Sequence, residues 1–300
     1  MISALRFTLG LIFLVFGIAK LFPIETFENL LVNQDLSNWY SAPIFARLIV
    51  FSEVLLGTLI LLKFNSKKTL LISLVVLVAL TVYLIVYLIL HGNQNDCGCT
   101  GQLIELNSYW SILKNLVLIG ITLFLIKTQT PKTYTKPRQI LAGSIIFSTA
   151  VVLIFAPFYI QPDPSERLNV KIDLDVIPNL ELTGNPIDFQ NENLLVFFVS
   201  PKCPHCHLAI QKLKVIQNTN DILPTYLVFY GYEENVKKYV KDNNLDFPYV
   251  VFPDQEFMRI VSGSFPTIFH VNKGVLEHQW TGDKFNPEEI ITLPRALSFQ

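Results

Sequence analysis

Two cysteines stand two residues apart in Lys202-Cys203-Pro204-His205-Cys206-His207. They follow an apolar run, Leu194 to Val199, that reads as a buried strand, and they open a helical segment from Leu208 to Gln217. Unpaired N–H groups and the positive end of a helix dipole stabilise a thiolate on the first cysteine of such a pair. Pro204 suits the first helical turn, where it gives up no hydrogen bond. His205, donating toward sulfur, would favour the thiolate further. The chemistry implied is thiol–disulfide exchange. Cys-x-x-Cys-His is also the covalent haem attachment motif, and a thiol pair can serve a structural zinc.

The residues downstream separate these readings. Phe265-Pro266-Thr267 heads a strand, Ile268 to Val271, which is followed by the turn Asn272-Lys273-Gly274 and a second strand, Val275 to Trp280. The expected order is strand, Cys-x-x-Cys helix, strand (Pro224 to Tyr230), helix (Glu233 to Lys241), strand (Tyr249 to Phe252), Pro-Thr strand, hairpin and last helix. In this order and these motifs, residues 190 to 300 resemble the thioredoxin superfamily. The resemblance implies that Cys203 is the exposed nucleophile and Cys206, one turn deeper, the resolving thiol. It implies a cis peptide before Pro266, and a partner chain held in extended form by Pro266 and the backbone of Phe265. Pro204-His205 is the dipeptide of strongly oxidising members. Phe197 stands where the family often has a buried carboxylate, six residues before the first cysteine. The haem reading lacks a second axial ligand with a motif of its own.

The elements that must position this site include a membrane half. Of 300 residues, 51% are hydrophobic and only 16% charged, too apolar for an ordinary soluble chain. The net charge of -1 argues against a nucleic-acid partner. Met1 to Phe22 lacks a small-residue cleavage site and reads as a retained membrane helix. Further spans run from about Pro43 to Leu62, Leu70 to Leu90, Tyr109 to Ile126 and Ile140 to Ile160, each near the length that crosses a bilayer. Lys63, Lys67 and Lys68 follow the second span, and Lys127, Lys132, Lys136 and Arg138 follow the fourth. The loop after the third, His91 to Ser108, has no basic Lys or Arg. The basic loops are therefore expected inside, and the N-terminus with them. That topology carries His91 to Ser108 and everything beyond Gln161 to the extracytoplasmic side of the cytoplasmic membrane, the oxidising side. Trp39 and Tyr40 read as an interfacial anchor, and Gln161 to Arg167 as a Pro-rich linker.

The chain's other two cysteines, Cys97 and Cys99, also form a close pair, so none is left for a structural disulfide. A ring closed around Gly98 would be strained and hence oxidising. A soft metal, copper or zinc, is the competing reading, with His91 the only nearby helper. Asp96-Cys97-Gly98-Cys99-Thr100-Gly101, with Trp110 and Asn115 downstream, resembles the methylamine-utilisation MauE branch of the DoxX-like membrane family. Arg6, Gly17, Lys20, Glu53 and Gly57 fit that family's pattern too, and the similarity covers residues 1 to about 128. The resemblance implies a four-helix domain that forms or handles disulfides in extracytoplasmic proteins. Glu53, about 9 Å along its helix from Arg47, and Lys114 fall in the outer half of their spans. They are candidates to stabilise a thiolate or relay a proton, or else form a structural ion pair. Lys20 reads better as structural or snorkelling.

The fold class expected is multi-domain. An all-α transmembrane bundle, four helices plus a fifth, precedes an α/β thioredoxin-like fold, with bounds at 1–128, 129–167 and 168–300. The function expected is a membrane-bound thiol–disulfide oxidoreductase in which Cys203 and Cys206 serve extracytoplasmic protein thiols or disulfides. Cys97 and Cys99 recharge them, in the oxidising direction. Pro204, His205, Pro266, Glu53 and Lys114 support the site, Phe265 and Pro266 bind substrate, and no metal is expected. No cofactor is bound covalently, and a quinone is the expected electron partner. Alternatives are a reductant conduit, a maturation factor for one metalloenzyme or cytochrome, and a transport protein or scaffold.

Overall fold

A computed structural model describes residues 2–64, 66–91, 107–128, 136–158, 165–171, 192–252 and 255–293. The chain divides into two compact units, Met1–Phe158 and Tyr159–Gln300.

In the first unit, α1 (Ile2–Ala19), α3 (Ala42–Leu61), α4 (Ser66–His91), α5 (Ser108–Thr128) and α6 (Pro137–Phe155) are each long and apolar enough to cross a membrane. The chain is a multi-pass membrane protein. The expected spans hold to within a few residues, apart from the start of α4 and the end of the last span. Val75, Ile146 and Ile154 are more than half exposed, as befits side chains that face lipid. The interior holds Leu9 and Phe13 of α1, Leu56 and Ile60 of α3, Leu70 and Leu77 of α4, and Leu118 and Leu125 of α5.

Helix α2 (Ile24–Asn33) lies in what reads from the sequence as the first outer loop. Its Phe27 and Leu31 pack with Ala46, Val50 and Val54 of α3 and Val152 of α6. Arg47 locks the same corner. Its Nε donates to the carbonyl of Ala156 at 3.0 Å and its Nη2 to that of Pro157 at 2.9 Å, while Nη1 meets the Glu28 carboxylate. These bonds satisfy carbonyls at the end of α6 that have no helical partner.

Helices α1 and α3 approach so closely that glycine is required. A Cβ on Gly57 would lie 2.9 Å from the Gly10 carbonyl oxygen, and one on Gly17 3.1 Å from the Glu53 Cβ. Small residues let membrane helices touch backbone to backbone.

In the second unit, a six-stranded sheet among the described residues has the order β1-β6-β5-β2-β3-β4. Its strands are β1 (Glu166–Lys171), β2 (Asn193–Val199), β3 (Thr225–Phe229), β4 (Tyr249–Val251), β5 (Thr267–Asn272) and β6 (Val275–Thr281). Leu194 to Val199 are fully buried on both faces of the sheet, which is why they read as an unbroken apolar run. Strand β2 runs parallel to β3 and antiparallel to β5. The helices are α7 (Pro204–Thr219), α8 (Glu233–Asp242), α9 (Gln255–Ile260) and α10 (Pro287–Ile291). A strand, a Cys-x-x-Cys helix, a parallel strand and helix, then an antiparallel hairpin and a last helix make a thioredoxin-like core. Strand β1 takes up Glu166 and Arg167, the last residues of the Pro-rich run. Helix α9 carries no strong periodicity in sequence; Phe257 fixes it by packing edge-on to Phe198, with ring centroids 5.5 Å apart.

The glycine seam yields a measurement. Gly57→Ala is expected to lower the stability of the detergent-solubilised chain by about 1–3 kcal/mol through overpacking. Gly120→Ala, where nothing lies within 4 Å of the added Cβ, should leave the unfolding midpoint in place or raise it.

Candidate active site

Strand β2 ends at Val199, and Ser200 to Lys202 carry the chain onto α7. Cys203 is the N-cap of α7, with extended backbone at φ -95° and ψ 114°. Its sulfur accepts a hydrogen bond from the Cys206 backbone N–H at 3.1 Å. The sulfur therefore does the work of an N-cap oxygen, meeting one of the unpaired N–H groups of the first turn. Pro204 occupies the first helical position. Both cysteines are free thiols; Cys203 is partly exposed and Cys206 fully buried. Burial pushes the Cys206 thiol well above the usual thiol range, and the neighbouring Cys203 adds to the rise. One sulfur can be reached from outside, and the other stays protonated when reduced.

His205 does not meet the sulfur. Its ring is exposed, and Nδ1 lies 3.4 Å from the Asp283 carboxylate. Asp283 lies in the loop that Lys212 of α7 anchors, donating to its carbonyl at 2.6 Å. Helical geometry turns the His205 side chain away from Cys203, toward the loop that follows β6.

His207 and Tyr239, which the sequence reading did not select, form a polar pair near the dithiol, Tyr239 close enough to feel both cysteines. His207 Nδ1 is 2.9 Å from the Tyr239 hydroxyl, and its Nε2 is 2.9 Å from Gln211 Nε2. Burial lowers the affinity of His207 for a proton, and the charge of Lys214 lowers it further. Burial raises the Tyr239 phenol, and its electrostatic interaction with Cys206 and Cys203 adds to the effect. Both rings are therefore neutral near pH 7, and Tyr239 keeps its O–H. The available signal was the four-residue spacing from Cys203 to His207, which puts both on one helical face. Tyr239 comes from α8 and had no local signal. Phe197, at the position of the family carboxylate, is fully buried and meets Phe285 edge-on at 6.1 Å.

Pro266 follows a cis peptide bond, as the resemblance implied. Thr267 pairs with Phe198 near the end of β2, so the Pro266 loop lies at the sheet edge from which the cysteine loop departs. The Pro266 carbonyl accepts from Gly282 N–H at 2.7 Å. The Phe265 ring stacks on Phe257 at 5.5 Å.

In the membrane unit, Lys20 Nζ donates to both Glu53 carboxylate oxygens, at 2.7 and 2.6 Å, and both side chains are buried. Lys20 is thus an interior partner, not a snorkelling residue. Lys114 Nζ lies 4.3 Å from the centre of the Phe16 ring. Lys20, Glu53 and Lys114 line one cavity of about 290 Å³ with Asn115, Tyr83 and Gln34, its walls otherwise apolar. Tyr83 lies about 12 Å before the end of α4 and Lys114 about 9 Å after the start of α5, so the cavity lies toward the end of the bundle where the α4–α5 connection departs. Cys97 and Cys99, on that connection, are outside the described residues.

Residues 1–128 match the family model described as methylamine utilisation protein MauE, in keeping with the resemblance carried by Asp96 to Gly101. Protein TlpB of Flavobacterium psychrophilum is 25% identical over 344 aligned positions, which take in 94% of this chain and 92% of that protein. The similarity thus runs through both units. Among solved structures, StoA from Bacillus subtilis aligns at 22% identity and a TM-score of 0.32, over 36% of this chain and 87% of its own. A thiol:disulfide interchange protein DsbE from Chlorobium tepidum aligns at 16% and 0.27, over 34% and 74%. The thioredoxin-like fold of the second unit rests on its strand order and the position of its cysteines.

Two outcomes follow from this geometry. Glu53→Gln leaves Lys20 buried and uncompensated, and should cost about 3–5 kcal/mol, whereas replacing both Lys20 and Glu53 by apolar residues should cost far less. Unfolding of the two variants in detergent reads the difference. His207 binds its proton more weakly folded than unfolded, so its contribution is present above the ordinary histidine pKa and lost as pH falls below it. The unfolding midpoint should drop between pH 7 and 5, and His207→Gln should remove part of that slope.

Proposed function

We propose that this protein is a membrane-bound thiol–disulfide oxidoreductase that oxidises extracytoplasmic protein thiols. The observation that carries the reading is the asymmetric dithiol: Cys203 exposed at a helix N-terminus, its sulfur hydrogen-bonded to backbone, beside a fully buried Cys206. A client thiolate attacks Cys203 of the oxidised pair, forming a mixed disulfide and releasing Cys206, which takes up a proton. A second client thiolate then displaces Cys203. The client gains a disulfide, and Cys203 and Cys206 return as a dithiol. Tyr239, hydrogen-bonded to His207, supports proton delivery to Cys206 where the strand offers only Phe197. Phe265 and Pro266, at the same sheet edge, suit the docking of an extended client segment.

The cycle closes when Cys97 and Cys99, as a disulfide, accept the electrons of Cys203 and Cys206. Basic residues around α3–α4 and α5–α6 favour an orientation with both pairs on the extracytoplasmic side. The oxidising direction is favoured by Pro204-His205. A quinone is the electron partner in this reading, which three features of the membrane cavity support: a volume approaching the roughly 300–1,000 Å³ of small-molecule pockets, apolar walls, and Lys20, Lys114 and Tyr83 as donors for ring oxygens. A quinone takes up two electrons and two protons, the output of one dithiol. Glu53 and Lys114 would orient such a ring.

The test is the chain carrying Cys206→Ser, in which Cys203 attacks a client disulfide, the reverse of the second step, expels one client thiolate and has no Cys206 to release it from the mixed disulfide. It is expected to accumulate covalent adducts with extracytoplasmic proteins that dithiothreitol releases, while Cys203→Ser traps none. Equilibration with glutathione or dithiothreitol buffers should place the Cys203/Cys206 couple near -120 mV. A value near -270 mV would reverse the direction and make the protein a reductant.

A further inference from the structure

The strand pairing of β5 with β6 contains a feature that thiol exchange does not use. His270 pairs with His278, but Val271 pairs with Leu276, so Glu277 is an extra residue in β6. In such a bulge two successive side chains oppose a single partner, and the strand is re-aimed locally. Here the bulge gathers Glu277 and His278 against His270. One ligand-competent atom of each lies within 4.8 Å of the others. Two ligands held tetrahedrally on a zinc-sized ion sit about 3.3 Å apart, so modest side-chain rotation closes the set.

The hydrogen bonds point the three groups at a cation. His270 is fully buried, and its Nε2 lies 2.7 Å from Asn193 Oδ1. The amide oxygen only accepts, so Nε2 carries the proton and Nδ1 presents a lone pair. That Nδ1 has no hydrogen-bond partner and lies 3.6 Å from Glu277 Oε2. A buried lone pair thus confronts a carboxylate oxygen with no donor between them, an arrangement that costs free energy unless something positive is shared. The remaining valences are held from behind. Asn272 Nδ2 donates to Glu277 Oε1 at 2.9 Å, and Ser165 Oγ lies 2.9 Å from His278 Nδ1, leaving Nε2 of that ring as the ligand. Partners on the far side of each ligand are what metal-binding histidines and carboxylates require.

We propose that His270, Glu277 and His278 form a binding site for one divalent transition-metal ion of the imidazole-preferring class, zinc above all. Two imidazoles and a carboxylate suit zinc or copper(II) over calcium or magnesium, and three protein ligands leave a position for water or another ligand. The site is independent of the dithiol. Thr267 of β5 lies at the cysteine edge of the sheet, and His270 is three residues further along, about 10 Å away.

The test uses the full chain in detergent, without a histidine tag and with all four cysteines replaced by serine so that no thiolate competes for metal. After chelator treatment and dialysis, Zn²⁺ titration is expected to give one tight site per chain, and Co²⁺ a visible spectrum with no thiolate charge-transfer band. Glu277→Gln and His278→Asn, both at partly exposed positions, should weaken binding more than 100-fold. Ser165→Ala should weaken it about 10–100-fold, the range typical of a lost outer partner. Each variant is compared at an unfolding midpoint, measured without metal, equal to that of the parent. Zinc binding that survives Glu277→Gln and His278→Asn unchanged overturns the proposal. So does a folded parent chain that binds no zinc, which would mean a proton, not a metal, bridges His270 and Glu277.

Discussion

The hydrogen bond from the Cys206 backbone to the Cys203 sulfur is the contact on which the arrangement of the second unit's two thiols depends. It makes a cysteine the N-cap of α7, so the partly exposed sulfur sits where the helix offers its unpaired N–H groups. The same turn carries Cys206 inward beneath α7. Exposure of one sulfur and burial of the other come from one geometric choice, the start of a helix at Pro204. The fully buried strand β2 gives that choice rigidity, because the helix begins five residues beyond its last rung.

Around this pair the fold departs from the pattern its motif suggests. Phe197 fills the sequence position of a carboxylate, is fully buried and packs against Phe285, so that position offers no titratable group. Polar groups come from elsewhere: Tyr239 of α8 feels both cysteines and is hydrogen-bonded to His207 of α7. His205, the residue between the cysteines, turns to Asp283. A residue within a Cys-x-x-Cys motif does not act on sulfur by adjacency alone; the helical twist decides where it points.

The membrane unit shows a comparable economy. Glycines on α1 and α3 bring the helices together, and the closeness that Gly17 permits sits beside the Lys20–Glu53 pair. An ion pair in an apolar bundle must be made with good geometry to be tolerated, and here both carboxylate oxygens meet the ammonium. The cavity adjoining it combines this charge with aromatic walls. Apolar side chains on the outer faces meet lipid, so the interior is free to be more polar than the surface.

Composition and local spacing determined much of this protein. Long apolar runs mark the membrane helices because a bilayer demands about 20 such residues. Cysteine spacing after an apolar strand marks the dithiol, and Phe265-Pro266-Thr267 marks the loop beside it. These are short-range signals, legible because one element carries the whole pattern. Only tertiary structure decided the rest. The pairing of Lys20 with Glu53 joins residues 33 apart, and Tyr239 reaches His207 from 32 residues away. Helix α2 takes its place from α3 and α6, not from its own propensity. The gathering of His270, Glu277 and His278 depends on a single extra residue in β6, and a strand's alternation predicts the opposite face for Glu277. Contacts between distant segments, and the bulge that breaks alternation, exist only once the sheet is assembled.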